Sequence, residues 1–267
     1  MNSWQEWLLW LSDGISGFAT YWAILIGVAM IELVIPGQKS ATPASPRLSV
    51  NLLLGLSLAL IHTIPAITDT AMAAFVEAQG WGLLALTGWP LWLKVVLSFL
   101  AFDLAGYIFH RVSHLSQPLW RLHRVHHSDN DIDLSTIFRV HPASILIIVP
   151  FDFAVIAALG LHPLGIMAHG LAKLVTMGFG HANVAPMPWL SRTAALLFVT
   201  ADFHRRHHSA WQPETDSNYG EVLTVWDRMF RSCASSRAPV ERFGLGDAYD
   251  SDAASLTGQL KLPFISR

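Results

Sequence analysis

The sequence predicts an all-α integral membrane protein: a helical bundle of three spans plus a re-entering helical hairpin, capped by a cytoplasmic helical region built around histidine boxes. Three observations predict it. Hydrophobic residues make up 52% of the 267 positions and charged residues only 13%, against roughly 25% charged in an ordinary soluble domain. Apolar runs recur at lengths that match a hydrocarbon core at about 1.5 Å per residue. Thirteen histidines, set against a single cysteine, gather in short boxes just beyond the ends of those runs.

The first span is GFATYWAILIGVAMIELVIP, residues 17–36. No basic stretch precedes it and no small-residue cleavage site follows it, so it reads as a retained span rather than a removed signal. A second span runs over about 48–71 and a third over about 89–107. Residues 144–175 are apolar but broken near Gly160 to Pro163, the pattern of a hairpin that crosses and returns. Residues 182–200 read as an amphipathic element lying along the interface, with Trp189 and Arg192 at headgroup level. From about Arg231 the chain turns polar and reads as a loose tail. The organisation is therefore residues 1–109 as N-terminal spans, 110–230 as the histidine-box region including the hairpin, and 231–267 as a polar tail.

Lys and Arg set the orientation. The first nineteen residues and the connection 69–90 contain none, whereas Lys39 and Arg47 lie between the first two spans. Arg111, Arg121, Arg124 and Arg139 follow the third, and nine more basic residues run from Arg192 onward. These segments share one side when the N-terminus is outside, with Lys94 the exception, so the boxes are expected to face the cytoplasm from an inner or cell membrane. A net charge of −2 offers no global field for nucleic acid. Cys233, the lone cysteine, excludes an intrachain disulfide and a Cys-based zinc site.

The boxes are HRVSH (His110, His114), HRVHH (His123, His126, His127), the single His181, and HRRHH (His204, His207, His208). Residues at i, i+3 and i+4 share a helix face, so each box is expected to aim its imidazoles at one point. At a histidine frequency near 5%, a given H-x-x-H-H arises by chance about once in 10⁴ sites, and two in one chain call for a common cause. Nine imidazoles exceed the ligand number of one ion, about four for zinc and six for octahedral iron, so two ions fit the count. Imidazole suits iron, zinc, copper and nickel alike. His-Glu-x-x-His is absent, which removes the zincin-type base. Isolated His62, His162 and His169 read as core or surface residues.

Read together, Asp103 to His114, W-RLHRVHHS at 120–128, R-VHP at 139–142, GHAN at 180–183, FHRRHH at 203–208, DSNYG at 216–220 and WDRMF at 226–230 resemble the membrane fatty acid hydroxylase and sterol desaturase superfamily, over roughly residues 101–230. The resemblance implies a cytoplasmic non-haem centre of two iron ions that uses O₂ to hydroxylate or desaturate a lipid. It also implies that His110, His114, His123, His126, His127, His181, His204, His207 and His208 are its ligands; zinc fits the same imidazoles in a purified sample. Relatives often carry Glu where this chain has Ser144 and Gly-Thr where it has Arg231-Ser232. Some carry a second histidine where it has Met177, which sets the chain apart from the fatty acid 2-hydroxylase-like branch.

Metal-bound histidines usually donate their second ring N–H to an acceptor, which nominates Asp103, Asp216, Asn218 and Asp227 as orienting groups. Arg111, Arg121, Arg124, Arg205 and Arg206 are expected to point away from the boxes, toward headgroups, solvent or a redox partner. Trp120, Phe138, Phe179, Phe203, Trp226 and Phe230 are candidates for the wall of an acyl pocket. Without a haem attachment motif or nicotinamide fingerprint in the sequence, the electron donor is expected to be a separate protein. Two other classes compete: a metal transporter or membrane metal-binding protein, for which His62 and Glu32 would be the ionisable groups within spans, and a zinc-dependent hydrolase.

Overall fold

The computed structural model describes residues 14–38, 44–62, 68–185, 193–235, 238–246 and 254–265. Among these the fold is helical, with isolated bridges such as Pro36 to Val184 and Phe198 to Leu223. In chain order the α-helices are α1 (Gly14–Val34), α2 (Ala44–His62), α3 (Asp69–Gln79), α4 (Leu91–Leu115), α5 (Gln117–His127), α6 (Ile145–Leu159), α7 (Pro163–His181), α8 (Ala201–His207), α9 (Gln212–Thr215), α10 (Val225–Met229) and α11 (Leu256–Lys261). Short 3₁₀ turns at Leu134–Phe138, Pro142–Ser144 and Leu262–Phe264 join or extend them.

Two helical stretches, Leu91–Leu115 and Pro142–Leu159, are long and apolar enough to cross a membrane, and Ala19–Val34 and Pro46–Leu60 are shorter apolar runs. Only 28% and 11% of the two long stretches' apolar windows are buried, so they are not the enclosed core helices of a soluble globule. Large apolar side chains such as Leu33, Leu86, Trp92, Leu115 and Leu146 face outward. The expected break in the hairpin is present: Gly160 closes α6 in the left-handed region (φ 66°), and His162 caps α7 by accepting from Leu164 N at 3.1 Å.

The expected second span differs. Its helix, α2, ends at His62, and the last residues assigned to it begin a separate helix, because Thr68 accepts from Ala71 N and Asp69 occupies the first turn of α3. The segment read as an outer connection thus contains a helix. Met72, Ala73 and Val76 on its apolar stripe pack with Phe102, Ile156, Leu161 and Ile166, tying α3 to α4, α6 and α7. Trp189 and Arg192 of the expected interfacial element lie outside the described residues. Its described flanks are tied down, with Ala185 N donating to Ile35 O and Val199 N to Val222 O, both at 2.9 Å.

The C-terminal stretch also departs from the expected loose tail. Over 254–265 it docks on α5, where Leu262 is buried with Val50, Leu54 and Val125. Arg124, expected to face outward, is buried and donates to the carbonyls of Leu262 and Ile265, and Ser128 Oγ donates to Gln259 Oε1 at 3.0 Å. Arg205 donates to Ile132 O and lies 4.9 Å over the Phe243 ring. Arg206 pairs with Glu214, and Arg111 donates to Tyr107 Oη at 3.2 Å. These arginines are internal clamps, because each finds a protein acceptor: backbone carbonyls for Arg124 and Arg205, the Glu214 carboxylate for Arg206 and the Tyr107 hydroxyl for Arg111.

Arg124→Ala removes a donor from the buried Leu262 carbonyl, which keeps Ile265 N at 3.3 Å, and from the partly buried Ile265 carbonyl, a loss of about 1–3 kcal/mol at most. Trypsin is expected to cut at Lys261 several-fold faster in the variant than in the wild type, as followed by mass spectrometry of the fragments.

Candidate metal centre

The C-terminal ends of four helices converge. The last turns of α4 carry His110 and His114, α5 carries His123, His126 and His127, α7 ends on His181, and α8 carries His204 and His207 with His208 at its C-cap. The nine rings form two groups. His110, His114, His123, His127 and His207 make one, and His126, His181, His204 and His208 the other; within each group one nitrogen per ring lies within 4.8 Å of every other. The rings of His127 and His208, one from each group, stack at 4.5 Å between centroids with 22° between planes.

The boxes do not aim as expected. In HRVHH, His123 and His127 enter the first group while His126 enters the second; in HRRHH, His204 and His208 enter the second while His207 crosses to the first. Helix geometry explains the split. Residue i+4 lies about 40° from i and residue i+3 about 60° away on the other side, so the i, i+4 pair converges and the i+3 ring diverges.

Outer hydrogen bonds set the tautomers. The Nδ1 atoms of His110, His207, His126 and His181 meet the carbonyls of Tyr219 (2.8 Å), Ser217 (2.6 Å), Arg139 (3.3 Å) and Met177 (2.8 Å). A carbonyl only accepts, so each Nδ1 carries the proton and each Nε2 presents a lone pair. Yet Nε2 of His110 and His207 stand 2.9 Å apart, and Nε2 of His126 and His181 stand 3.1 Å apart. Two lone pairs at that distance repel unless a cation lies with them. His114 repeats the pattern: its Nδ1 meets Asp216 Oδ1 at 3.2 Å while its Nε2 is buried with no partner. His123, His126, His127, His204, His207 and His208 are held well below the usual histidine range, first by burial and then mainly by neighbouring imidazoles, so at neutral pH the cation is not a proton on these rings. Each group fits a metal ion.

The carbonyls are themselves held. Asp227 accepts from Tyr219 N at 2.9 Å, Gly220 N at 2.7 Å and Ser232 Oγ at 2.6 Å, which fixes the loop that presents Tyr219 O and Ser217 O. Ser232, at one of the departures from the family pattern, thus braces this loop. Arg139 is fully buried and donates to Asn51 Oδ1 and Ser128 Oγ, while Asn51 and Thr136 donate to Asp129. Of the nominated orienting residues, Asp216 touches a histidine of the groups. Asn218, at φ 56°, instead joins Phe203 O to Ala234 N. Asp103 reaches none of the nine: it meets His169 Nε2 at 3.2 Å and accepts from Trp226 Nε1 at 2.7 Å and Leu223 N at 3.3 Å. Seven residues before His110, it lies about 10 Å further along α4, at the level where His169 of α7 and Trp226 of α10 meet it and out of reach of the imidazoles.

A cavity of about 260 Å³ reaches His110, His123, His126 and His181. Its wall is mostly aliphatic, with Leu119, Leu122, Ile137, Val140, Ile147 and Ile148 beside Phe109; none of the six aromatics nominated from the sequence lines it. Trp120 packs on the His114 ring and Phe230 stacks on Tyr107. Asp152, Lys173 and Glu221 also line the cavity. Sequence reasoning passed over these three, although a lone Asp and a lone Lys inside the apolar hairpin were a readable signal.

Helices long enough for a membrane, ending on two neighbouring imidazole groups that open to an apolar cavity, define a membrane-type polyhistidine metal protein. The fatty acid hydroxylase profile matches residues 95–232, about half of the sequence and the whole of this constellation, and the chain belongs to that family. It is similar to the ornithine lipid hydroxylase OlsE of Rhizobium tropici, 31% identical over 146 residues, which are 53% of this chain and 42% of that protein. It is also similar to the alkylglycerol monooxygenases of Xenopus tropicalis, 31% identical over 53% of this chain and 30% of the relative, and of Danio rerio, 27% identical over 78% and 46%. The matches thus span less than half the length of these relatives. No solved structure matches the chain.

Gly180, in GHAN, lets α7 meet α8: a Cβ there would lie 3.2 Å from His204 Cβ and 3.4 Å from its ring. Gly180→Ala is expected to cost about 1–3 kcal/mol by overpacking and to lower the melting temperature by several degrees in differential scanning fluorimetry.

Proposed function

We propose that the protein is an integral membrane, O₂-dependent lipid hydroxylase or desaturase, with one iron ion in each imidazole group. The observation that carries this reading is the pair of bare Nε2 contacts, one per group, which calls for two adjacent cations. Bound there, iron would supply O₂ activation for oxidation of an unactivated C–H bond, with electrons from a separate donor protein. The relatives, a lipid hydroxylase and monooxygenases, favour hydroxylation over desaturation.

The chain's own residues hold and orient. His110, His114, His123, His127 and His207 would take one ion and His126, His181, His204 and His208 the other, each ring turned by its outer partner. The aliphatic wall from Leu119 to Ile148 excludes water and takes an alkyl chain, bringing a methylene toward His110, His123, His126 and His181. The exposed apolar faces of α4 and α6 support a cavity within reach of the bilayer. The distribution of Lys and Arg supports a cytoplasmic placement of the site, in an inner or cell membrane.

Purified protein is expected to carry about two iron ions per chain by inductively coupled plasma mass spectrometry. His126→Ala and His207→Ala, which each remove the ring that leaves its own box, should lower that to one or fewer; wild-type iron in both would overturn the two-group assignment. In a deletion strain grown in air, lipid profiling should show loss of a species 16 mass units heavier than its precursor, restored by the wild-type gene and absent without oxygen. Wild-type lipids would overturn the reaction assignment.

A further inference from the structure

The apolar hairpin sequence 145–175 contains just two residues among Asp, Glu, Lys and Arg, namely Asp152 and Lys173, and both face the cavity that reaches the histidines. They are joined by Glu221, whose Oε2 lies 2.7 Å from Lys173 Nζ. The fold makes room for this carboxylate. Gly106 has no side chain where a Cβ would come within 2.7 Å of Glu221 Oε2, and Thr176 Oγ1 donates to the Glu221 carbonyl at 2.7 Å. A second cavity, lined by Leu58, Thr68 and Asp69, shares Val140, Ser144, Ile148, Asp152 and Lys173 with the first, so the charged groups sit where the two spaces adjoin.

Carboxyl groups outnumber ammonium groups there. Lys173 interacts with Glu221, Asp152 and Asp69, three carboxylates around one ammonium. Glu221 has the direct contact, and Asp69 lies in the first turn of α3, where the helix N-terminus favours negative charge. Asp152 has neither, and makes no hydrogen bond or ion pair to another described residue. A carboxylate in an apolar hairpin is costly unless it meets a partner.

We propose that Asp152, Lys173 and Glu221 form the subsite for the polar end of the substrate, and that this end carries a protonated amine that meets Asp152. The assignment rests on the lipid oxidation reading and specifies which lipids it admits.

Binding to the detergent-solubilised full chain tests this by isothermal titration calorimetry with hexadecylamine, N-acetylhexadecylamine and hexadecanol. Wild type should bind hexadecylamine about tenfold more tightly than its acetylated analogue. Asp152→Asn should abolish that preference and leave hexadecanol unchanged, and Asp152→Glu should keep it. Equal affinity of wild type for amine and amide, or an intact preference in Asp152→Asn, overturns the subsite; should the Asn variant fail to fold, the wild-type contrast decides alone. Iron content and oxygen-dependent product are measured on the same preparations. A chain that holds iron and forms product without an amine preference refutes the subsite alone, whereas one that prefers the amine but holds no iron refutes the oxidation reading alone.

Discussion

Nine neutral imidazoles packed into a water-poor interior would ordinarily be a poor use of a core, because each ring brings one acceptor that must find a proton or a cation. Here the acceptors are turned toward one another. Carbonyls on the outside take the Nδ1 protons of His110, His126, His181 and His207, so the inward nitrogens have only lone pairs to offer. Burial keeps the rings around them neutral, since the charged form is the one penalised by desolvation. Repulsion between inward lone pairs is therefore a constraint on the whole protein, and the surrounding elements are arranged to hold the rings against it until a cation resolves it.

That holding is done in layers. Backbone carbonyls touch the rings, and side chains further out fix the carbonyls: Asp227 braces the loop of Ser217 and Tyr219, and the buried Arg139, Asn51 and Asp129 network joins α2 to the segment after α5. Asp103 belongs to this outer layer, since it holds Leu223, on the same connection as Tyr219, and Trp226 at the start of α10, which follows it. The arginines inside the boxes extend the scheme, tying α5 to the C-terminal segment and α8 to the loops at Ile132 and Ala238.

The parts of the fold legible in the sequence were those written in side-chain period. Apolar runs announced α4 and the α6–α7 hairpin, Gly160 announced its turn, and the i, i+4 pairs at His110/His114, His123/His127 and His204/His208 announced rings that converge. Features written in the backbone were not legible. No residue type signals that the carbonyls of Tyr219, Ser217, Met177 and Arg139 will be the acceptors, because every residue has one. The crossing of His126 and His207 depends on where the second helix sits, which is a tertiary fact. Helix α3 was hidden by the apolar run on which it borders, and the docking of 254–265 by a polar composition whose few apolar residues, Leu262 above all, carry the contact.

The crossing of His126 and His207 between groups has a consequence for assembly. Because α5 and α8 each contribute to both groups, whatever fills one group fixes the rotation of two helices that also build the other. With the proposed ions bound, occupancies of the two groups would be linked in free energy, and by reciprocity each would act on the other to the same extent.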